Sequence, residues 1–511
     1  MDLGTLFQFA VERQPDAEAI VDGGLRRTYA AWYGEIRALA GGLRAMGLEP
    51  GDHFVAVMRN RYEMASLYWA CQLLGLIFTP VTWRATAAEL SYCLEDAEAA
   101  AIAFDEGPGD VVAEALAETD LEPSRVIIAG DGDGDGVTFK SLLEAPPVAG
   151  PVSVSAGDPC LMLYTSGTTG RPKGVPRSHR AEHMAGLSQL VHNRYRSGES
   201  MLGVMPMFHT MGVRIMLSSA MLNGKLVCLP GFNAEAVIDA VDKERISSLF
   251  LVPTMFHDML RHEAGAGADL ACLERIGYAG MSMTSTLTQA IIERLNPALF
   301  VNYYGSSEIY TFSVCGHLDR KPGCAGRPGV NQSLRVVSTS AAPGDVDAVV
   351  GPGETGEIIA SMTSPEAFER YWKRPDADAK TLHGTWYRTG DLGALDEDGE
   401  LYVMGRVDDM IISGGENIYP EEIEDVLTRL DTVSAVAVVG EPNERLGQKV
   451  VAYIQTAKGA EFAPEALNEA CLKSGLARFK RPRDYLQVDQ LPQSATGKLL
   501  RRKLREPDAD A

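Results

Sequence analysis

One stretch of the 511-residue chain limits the folds open to it: the apolar run Cys160-Leu-Met-Leu-Tyr164 passes directly into Thr165-Ser-Gly-Thr-Thr-Gly-Arg-Pro-Lys-Gly174. A short apolar run bounded by turn formers predicts a buried strand. The segment after it has the composition of a phosphate loop. Four hydroxyls (Thr165, Ser166, Thr168, Thr169) and three glycines (Gly167, Gly170, Gly174) let backbone N–H and side-chain O–H groups converge on phosphate oxygens, with Lys173 adding positive charge. It is not a Walker A loop, because proline precedes the lysine and glycine, not serine or threonine, follows it. A flexible Gly/Thr linker is the competing reading, and the strand in front of the loop argues against it.

A strand that delivers such a loop needs a sheet around it, and the flanking sequence supplies one. Apolar residues recur at helical spacing over 3–13 and 28–48 before Gly51-Asp-His-Phe-Val-Ala-Val-Met58 turns strand-like. Helix over 63–74 with Gly75 as its stop, strand over 76–80, helix over 87–97 and strand over 99–104 give the rhythm of a parallel α/β sheet, which resumes after the loop. The segment 341–354, rich in glycine, proline and acids and followed by Gly356-Glu-Ile-Ile-Ala360, predicts turns joining the strands of a β-rich subdomain. A boundary is expected near Gly405-Arg-Val-Asp-Asp409. Beyond it, a helix over 420–430, strands over 433–439 and 449–454 and a helix over 465–472 suffice for a small α+β domain. The fold class is therefore α/β: a large N-terminal domain, 1–407, of parallel α/β sheets plus a β-rich subdomain, and a small α+β C-terminal domain, 408–511. Two or more domains are also what this length predicts.

Composition narrows the function. Hydrophobic and charged fractions of 45% and 23% are those of a soluble globular protein, and a net charge of −22 disfavours nucleic acid and anionic membranes as partners. No stretch reaches the length of a membrane span, and Met1-Asp-Leu-Gly-Thr-Leu-Phe7 is unlike a signal peptide, so the cytoplasm is the expected address. The eight cysteines (Cys71, Cys93, Cys160, Cys228, Cys272, Cys315, Cys324, Cys471) are scattered with no Cys-x-x-Cys pair, and are read as buried free thiols of a reducing compartment. The Asp-Gly repeat over 131–136 lacks the spacing and glutamate of an EF-hand and is expected to be a solvated turn.

Further motifs follow the loop in order: Pro206-Met-Phe-His-Thr-Met-Gly212, Asn302-Tyr-Tyr-Gly-Ser-Ser-Glu308, Gly384-Thr-Trp-Tyr-Arg-Thr-Gly-Asp391, Gly405-Arg-Val-Asp-Asp-Met-Ile-Ile-Ser-Gly-Gly-Glu-Asn417 and Pro492-Gln-Ser-Ala-Thr-Gly-Lys498. With the loop they span nearly the whole chain, which resembles the adenylate-forming enzymes: acyl- and aryl-CoA synthetases, luciferases and peptide-synthetase adenylation domains. The resemblance implies a two-step reaction. A carboxylate attacks the α-phosphorus of ATP and expels pyrophosphate; the acyl-adenylate is then captured, commonly by the thiol of coenzyme A. Cations and donors must neutralise charge gathering on the phosphates during the first step.

On this resemblance the loop from Thr165 to Gly170 and Lys173 hold the departing pyrophosphate, and Glu308, with Thr168, holds Mg2+. Gly305, Ser306 and Ser307 belong to the same nucleotide motif, with Ser307 where the family usually has threonine. Asp391, assisted by Arg406, accepts hydrogen bonds from the ribose hydroxyls; Gly280, Met281 and Tyr304 flank adenine, with Asn302 at its edge. Lys498 is the catalytic lysine of adenylation, its three donors reaching both the α-phosphate and the attacking carboxylate. Asp408 is the hinge about which a mobile C-terminal domain turns. That motion brings Ser413, Gly414, Gly415 and Asn417 to the pantetheine path. His209 is the gate to the thiol's path. Arg478, Lys480 and Arg481 are candidates for the CoA phosphates, with Arg84 a further one; a solvated charged turn is the competing reading.

Met211, Met255, Met281, Ile309 and Tyr310 are expected to line an apolar acyl pocket suited to an aromatic or medium-chain acid. The motif at 206–212 has no aspartate to pair an α-ammonium group, which argues against an amino-acid adenylation domain. The segment 405–417 is most similar to that of aryl-CoA ligases such as the halobenzoate enzymes. The implied activity is an AMP-forming carboxylic acid:CoA ligase using ATP, Mg2+ and CoA, compatible with a homodimer. The rivals are an acyl-AMP ligase serving a separate carrier protein, a luciferase-like oxygenase and a non-catalytic nucleotide-binding module. No carrier domain is expected, since the sequence ends soon after Lys498.

Overall fold

The computed structural model describes residues 1–119, 121–130, 136–165, 171–342, 344–414, 416–493 and 499–505, the side chains of Pro123, Asn417 and Arg502 excepted. The expected N-terminal helices are Leu3–Arg13, Tyr29–Ala45, Tyr62–Leu74 and Ala87–Asp96. Each boundary has a local cause. The Asp2 carboxylate caps the first helix by accepting from Thr5 N–H at 2.7 Å, and Gly75, at φ 70°, ends the third in a left-handed turn that a side chain would strain.

A seven-stranded sheet runs, in spatial order, Val137–Thr138, Val126–Ile128, Ala101–Phe104, His53–Val57, Ile77–Pro80, Pro159–Thr165 and Lys173–Ser178. It is parallel as far as the pairing of Phe78 with Leu161, and its last pair is antiparallel. Lys173, read from the sequence as part of a loop, instead opens the last strand, directly opposite Thr165. A nine-stranded sheet carries Ser200–Gly203, Lys225–Cys228, Ser248–Leu251, Arg275–Ala279 and Leu299–Tyr304 in parallel, with Glu18–Asp22 and Leu25–Thr28 at one edge and Ser313–Cys315 and Arg327–Pro328 at the other. Tyr62–Leu74 is buried at every residue except Glu63, the signature of a helix covered on all sides. The main core passes from Phe54 and Phe78 through Leu67, Trp69 and Leu217 to Leu202 and Leu249 of the nine-stranded sheet.

Leu334–Val337, Gly356–Ser361, Leu382–His383, Trp386–Leu395 and Leu401–Arg406 form an antiparallel sheet, the expected β-rich subdomain. The C-terminal unit has its own sheet, built on the long hairpin Val433–Asn443 and Gly447–Thr456, and its own core of Ile411, Ile423, Val438 and Leu467 beneath the helices Pro420–Leu427 and Pro464–Lys473. The first of these helices stops earlier than expected, and the first strand runs on to Asn443. The Asp-Gly repeat at 131–135 lies outside the described residues. No helix among the described residues is long and apolar enough to cross a membrane.

Candidate active site

The ends of the nine-stranded sheet, the β-rich sheet and the C-terminal unit border one cleft of about 2110 Å³. A single small ligand fills roughly 300–1,000 Å³, so there is room for a nucleoside triphosphate beside a second molecule. Leu299–Tyr304 delivers the first group of polar residues. After it the chain turns at Gly305, where a Cβ would lie 2.1 Å from the Tyr310 carbonyl oxygen, so only glycine lets the turn close. The turn presents Glu308, buried yet bordering the cleft, whose Oε1 accepts from the Tyr371 hydroxyl at 2.6 Å. Lys173 Nζ lies 4.2 Å from the centre of the Tyr371 ring. Burial pushes the Lys173 pKa down, opposed by the charge of Glu308. A cation and a carboxylate thus share one wall through one tyrosine.

Tyr371 was not found by sequence reasoning, and neither was the support behind it. Fully buried Arg177 donates to the carbonyls of Glu308 at 2.9 Å and Glu366 at 2.6 Å, pairs with Glu182 at 2.8 Å and stacks 3.9 Å from the centre of the Tyr310 ring. Neither residue lies in a recognisable motif; only the fold brings them to Glu308.

Also lining the cleft, Asp391 and Arg406 are cross-strand partners. Asp391 Oδ1 accepts from Arg406 Nη1 at 2.7 Å and Oδ2 from the Tyr304 hydroxyl at 2.6 Å. Burial first, then the Asp391 charge, raises the Tyr304 pKa and keeps that proton in place. An ionised carboxylate has about four acceptor positions, so two remain for the vicinal hydroxyls of a sugar. Asn302 borders the cleft and donates to the Cys324 carbonyl at 2.8 Å. Gly280, Met281, Ser306 and Ser307 border it as well. Asp391→Asn is expected to raise KM for ATP about ten- to a hundredfold, the worth of one charged hydrogen bond, with a far smaller effect on KM for the acid; initial-rate kinetics measure both.

His209 is the N-cap of Thr210–Met221, with Nδ1 3.4 Å from Met211 N. It borders the cleft beside Met211, Met255 and Tyr310. Ile309 does not. It is fully buried among Phe312, Phe368, Tyr371 and Tyr387. An isolated bridge to Ala367 holds the chain extended here, so Glu308 and Tyr310 face the cleft and Ile309 points the other way.

The residues assigned to CoA are not gathered. Lys480 is paired with Glu422, Arg481 Nε donates to the Leu476 carbonyl at 2.9 Å, and Arg478 is exposed. Of this set Arg84 alone borders the cleft, its guanidinium 4.3 Å from the centre of the Trp83 ring. Ser413 and Gly414 do not border it; Gly415 and the Asn417 side chain lie outside the described residues. So do Ser166, Gly167, Thr168, Thr169, Gly170 and Lys498. Thr165 borders the cleft, and Gln493 and Leu499, on either side of 494–498, pair with each other and border it too. Asp408 lies in the turn Val407–Asp409 at the cleft's edge, its carbonyl accepting from Arg505 at 3.1 Å.

Comparison with known proteins places this geometry. Residues 7–372 match the AMP-binding enzyme family and residues 422–498 its C-terminal domain. A feruloyl-CoA synthase of Amycolatopsis sp is 33% identical over 96% of each chain. A fatty acid–[acyl-carrier-protein] ligase of Streptomyces coeruleorubidus is 32% identical over 99% of this chain and 96% of its own. The ATP-bound MatB of Rhodopseudomonas palustris superposes with a TM-score of 0.87 at 26% identity, covering 100% of this chain and 99% of that one. The chain belongs to the AMP-binding enzyme family, the adenylate-forming enzymes.

Proposed function

We propose that the protein is an ATP-dependent carboxylic acid:CoA ligase for an aromatic or medium-chain acid. The observation that carries this reading is the meeting, in one cleft, of the Lys173–Tyr371–Glu308 wall, the Asp391–Arg406–Tyr304 wall and an apolar recess at Met211, Met255 and Tyr310. In the first step an acid oxygen bonds to the α-phosphorus, and the bond to pyrophosphate breaks with its electron pair leaving on pyrophosphate. In the second the CoA sulfur, its proton lost, bonds to the acyl carbon, and AMP leaves with the electron pair of the C–O bond.

Asp391 grips the ribose and so fixes where the α-phosphate lies. Lys173, with the loop before it, draws the β- and γ-phosphates toward Tyr371 and Glu308. The oxygen donors at Glu308 suit Mg2+, which supplies neutralisation of phosphate charge when bound. The buried Arg177 positions that carboxylate by holding its backbone. Asp408 is the pivot between a 1–407 unit and a 408–511 unit, and Lys498 is the cation of the first step.

The test is pyrophosphate release and thioester formation across a panel of benzoates and short to medium aliphatic acids. Acid-dependent pyrophosphate, followed by thioester only when CoA is present, is the expected result. Adenylate that accumulates despite CoA and discharges onto a carrier protein would establish the rival acceptor, as in the Streptomyces relative. An absence of pyrophosphate with every acid would remove the ligase reading.

A further inference from the structure

Outside the groups used above, one cluster among the described residues has the chemistry of a metal site. We propose that Cys315, His317 and Cys324 bind one zinc-class divalent ion and so pin the loop between the two edge strands of the nine-stranded sheet against the nucleotide end of the cleft. Cys315 closes Ser313–Cys315, and the chain returns after Cys324 as Arg327–Pro328, which pairs antiparallel with Ser313 and Val314. That pairing folds the intervening loop back on itself. One donor atom from each of the three residues lies within 4.8 Å of the others. Zinc sits about 2.3 Å from sulfur and about 2.0–2.1 Å from nitrogen, so closing on the ion needs only small movements of side chains already turned toward one another.

Four further features fit such a site. Both cysteines are fully buried while His317 is partly exposed, which gives an ion a way in from solvent. The Cys324 sulfur is held in place from two sides, accepting from the Gly326 N–H at 3.1 Å and lying 3.4 Å from Glu400 Oε2. Glu400 Oε2 accepts from His317 Nε2 at 2.9 Å, the carboxylate–histidine arrangement that orients metal-binding rings. Lys321 Nζ, 3.3 Å from the same carboxylate oxygen, balances its charge. Two thiolates and an imidazole are soft and borderline donors, which select zinc over the hard Mg2+ suited to Glu308. A search for Cys-x-x-Cys passes over the site, because its order is cysteine, one residue, histidine, six residues, cysteine.

The position gives the ion a function. Gly323 and Ala325 border the cleft, and the Cys324 carbonyl holds the Asn302 side chain. Ordering this loop therefore orders the floor on which the base is proposed to lie. Three protein ligands leave a fourth position for water, and the ion touches no reacting atom, so its role is positioning.

The full chain, purified under reducing conditions and stripped with a chelator, is titrated with Co2+ and then Zn2+. The expected result is one Co2+ per chain, a thiolate-to-cobalt charge-transfer band, displacement by Zn2+ and a higher Tm with either metal. Reloading should lower KM for ATP more than it changes kcat. Cys324→Ser and His317→Gln should each lose the band, and Glu400→Gln should weaken Zn2+ binding about 10–100-fold. His317, being partly exposed, is the variant least able to disturb folding, so its result stands if the serine variant fails to fold. The proposal is overturned if stripped protein takes up no Co2+ with a thiolate band, if His317→Gln keeps wild-type band and stoichiometry, or if mass spectrometry finds a Cys315–Cys324 disulfide in place of the ion.

Discussion

Lys498→Ala is expected to lower acid-dependent pyrophosphate release by about 10²–10³-fold, the cost of removing one preorganised donor from a developing charge, while supplied acyl-adenylate still reacts with CoA at the wild-type rate. The asymmetry follows from where charge accumulates. In the first step an anion approaches a polyanion, and the new negative charge falls on the α-phosphate and on the oxygen bridging to pyrophosphate. Lys173 is placed against Tyr371 and Glu308, and Arg406 is bound to Asp391, so each cation already has a local assignment. Lys498 lies outside the described residues, but both neighbours of its segment, Gln493 and Leu499, border the cleft. In the second step the acyl carbon is attacked and the phosphate merely leaves, so a cation at the α-phosphate matters less. Separate assays of the two half-reactions decide it: similar losses in both would remove Lys498 from the first step and make it a structural residue.

The parts of the fold legible in the sequence are those with local causes. The helix stop at Gly75 and the strand beneath the phosphate loop follow from short-range patterns. The N-terminal edge of the nine-stranded sheet was not legible, because the pairing of Ile20 with Leu226 joins distant segments without any local mark. At the site, it was the resemblance of whole motifs to those of the adenylate-forming enzymes that pointed to Glu308, Asp391 and Arg406. The same reading failed for Ile309: an apolar residue beside a motif can face either side of an extended chain, and only the bridge to Ala367 decides which. Tyr371 and Arg177 were missed because a tyrosine and an arginine are ordinary until the fold sets them on Glu308. Paired Lys480 shows the converse, since a basic cluster in sequence takes no account of the acid packed against it.

Asp408→Pro is expected to spare adenylation and slow thioester formation about a hundredfold, the cost of misplacing reacting groups by an ångström or so. In this structure the C-terminal unit turns Gln493 and Leu499 toward the cleft and keeps Ser413 and Gly414 away from it. If the turn at 413–416 guides the CoA thiol, the unit must swing between the two steps. The connection available is short: Arg406 is still tied to Asp391, Ile411 already belongs to the C-terminal sheet, and between them lies the single turn Val407–Asp409, closed by Met410 N–H to the Arg406 carbonyl at 3.1 Å. Arg501 and Arg505 hold the Asp409 carboxylate at 3.3 and 2.9 Å, so Asp409 moves with the C-terminal unit and the rotation falls on 407 and 408. Proline fixes φ near −65°, a value compatible with the present turn but not with a large excursion. It also presses Val407 away from helical angles, so a thermal melt must show that the fold survives. Asp408→Ala is the decisive companion, because it removes the carboxylate and leaves the backbone free. Wild-type thioester formation in Asp408→Ala, with loss in Asp408→Pro, assigns the effect to stiffness. Equal loss in both would assign it to the side chain, and unchanged half-reactions in Asp408→Pro would mean that this chain completes both steps without turning about residue 408.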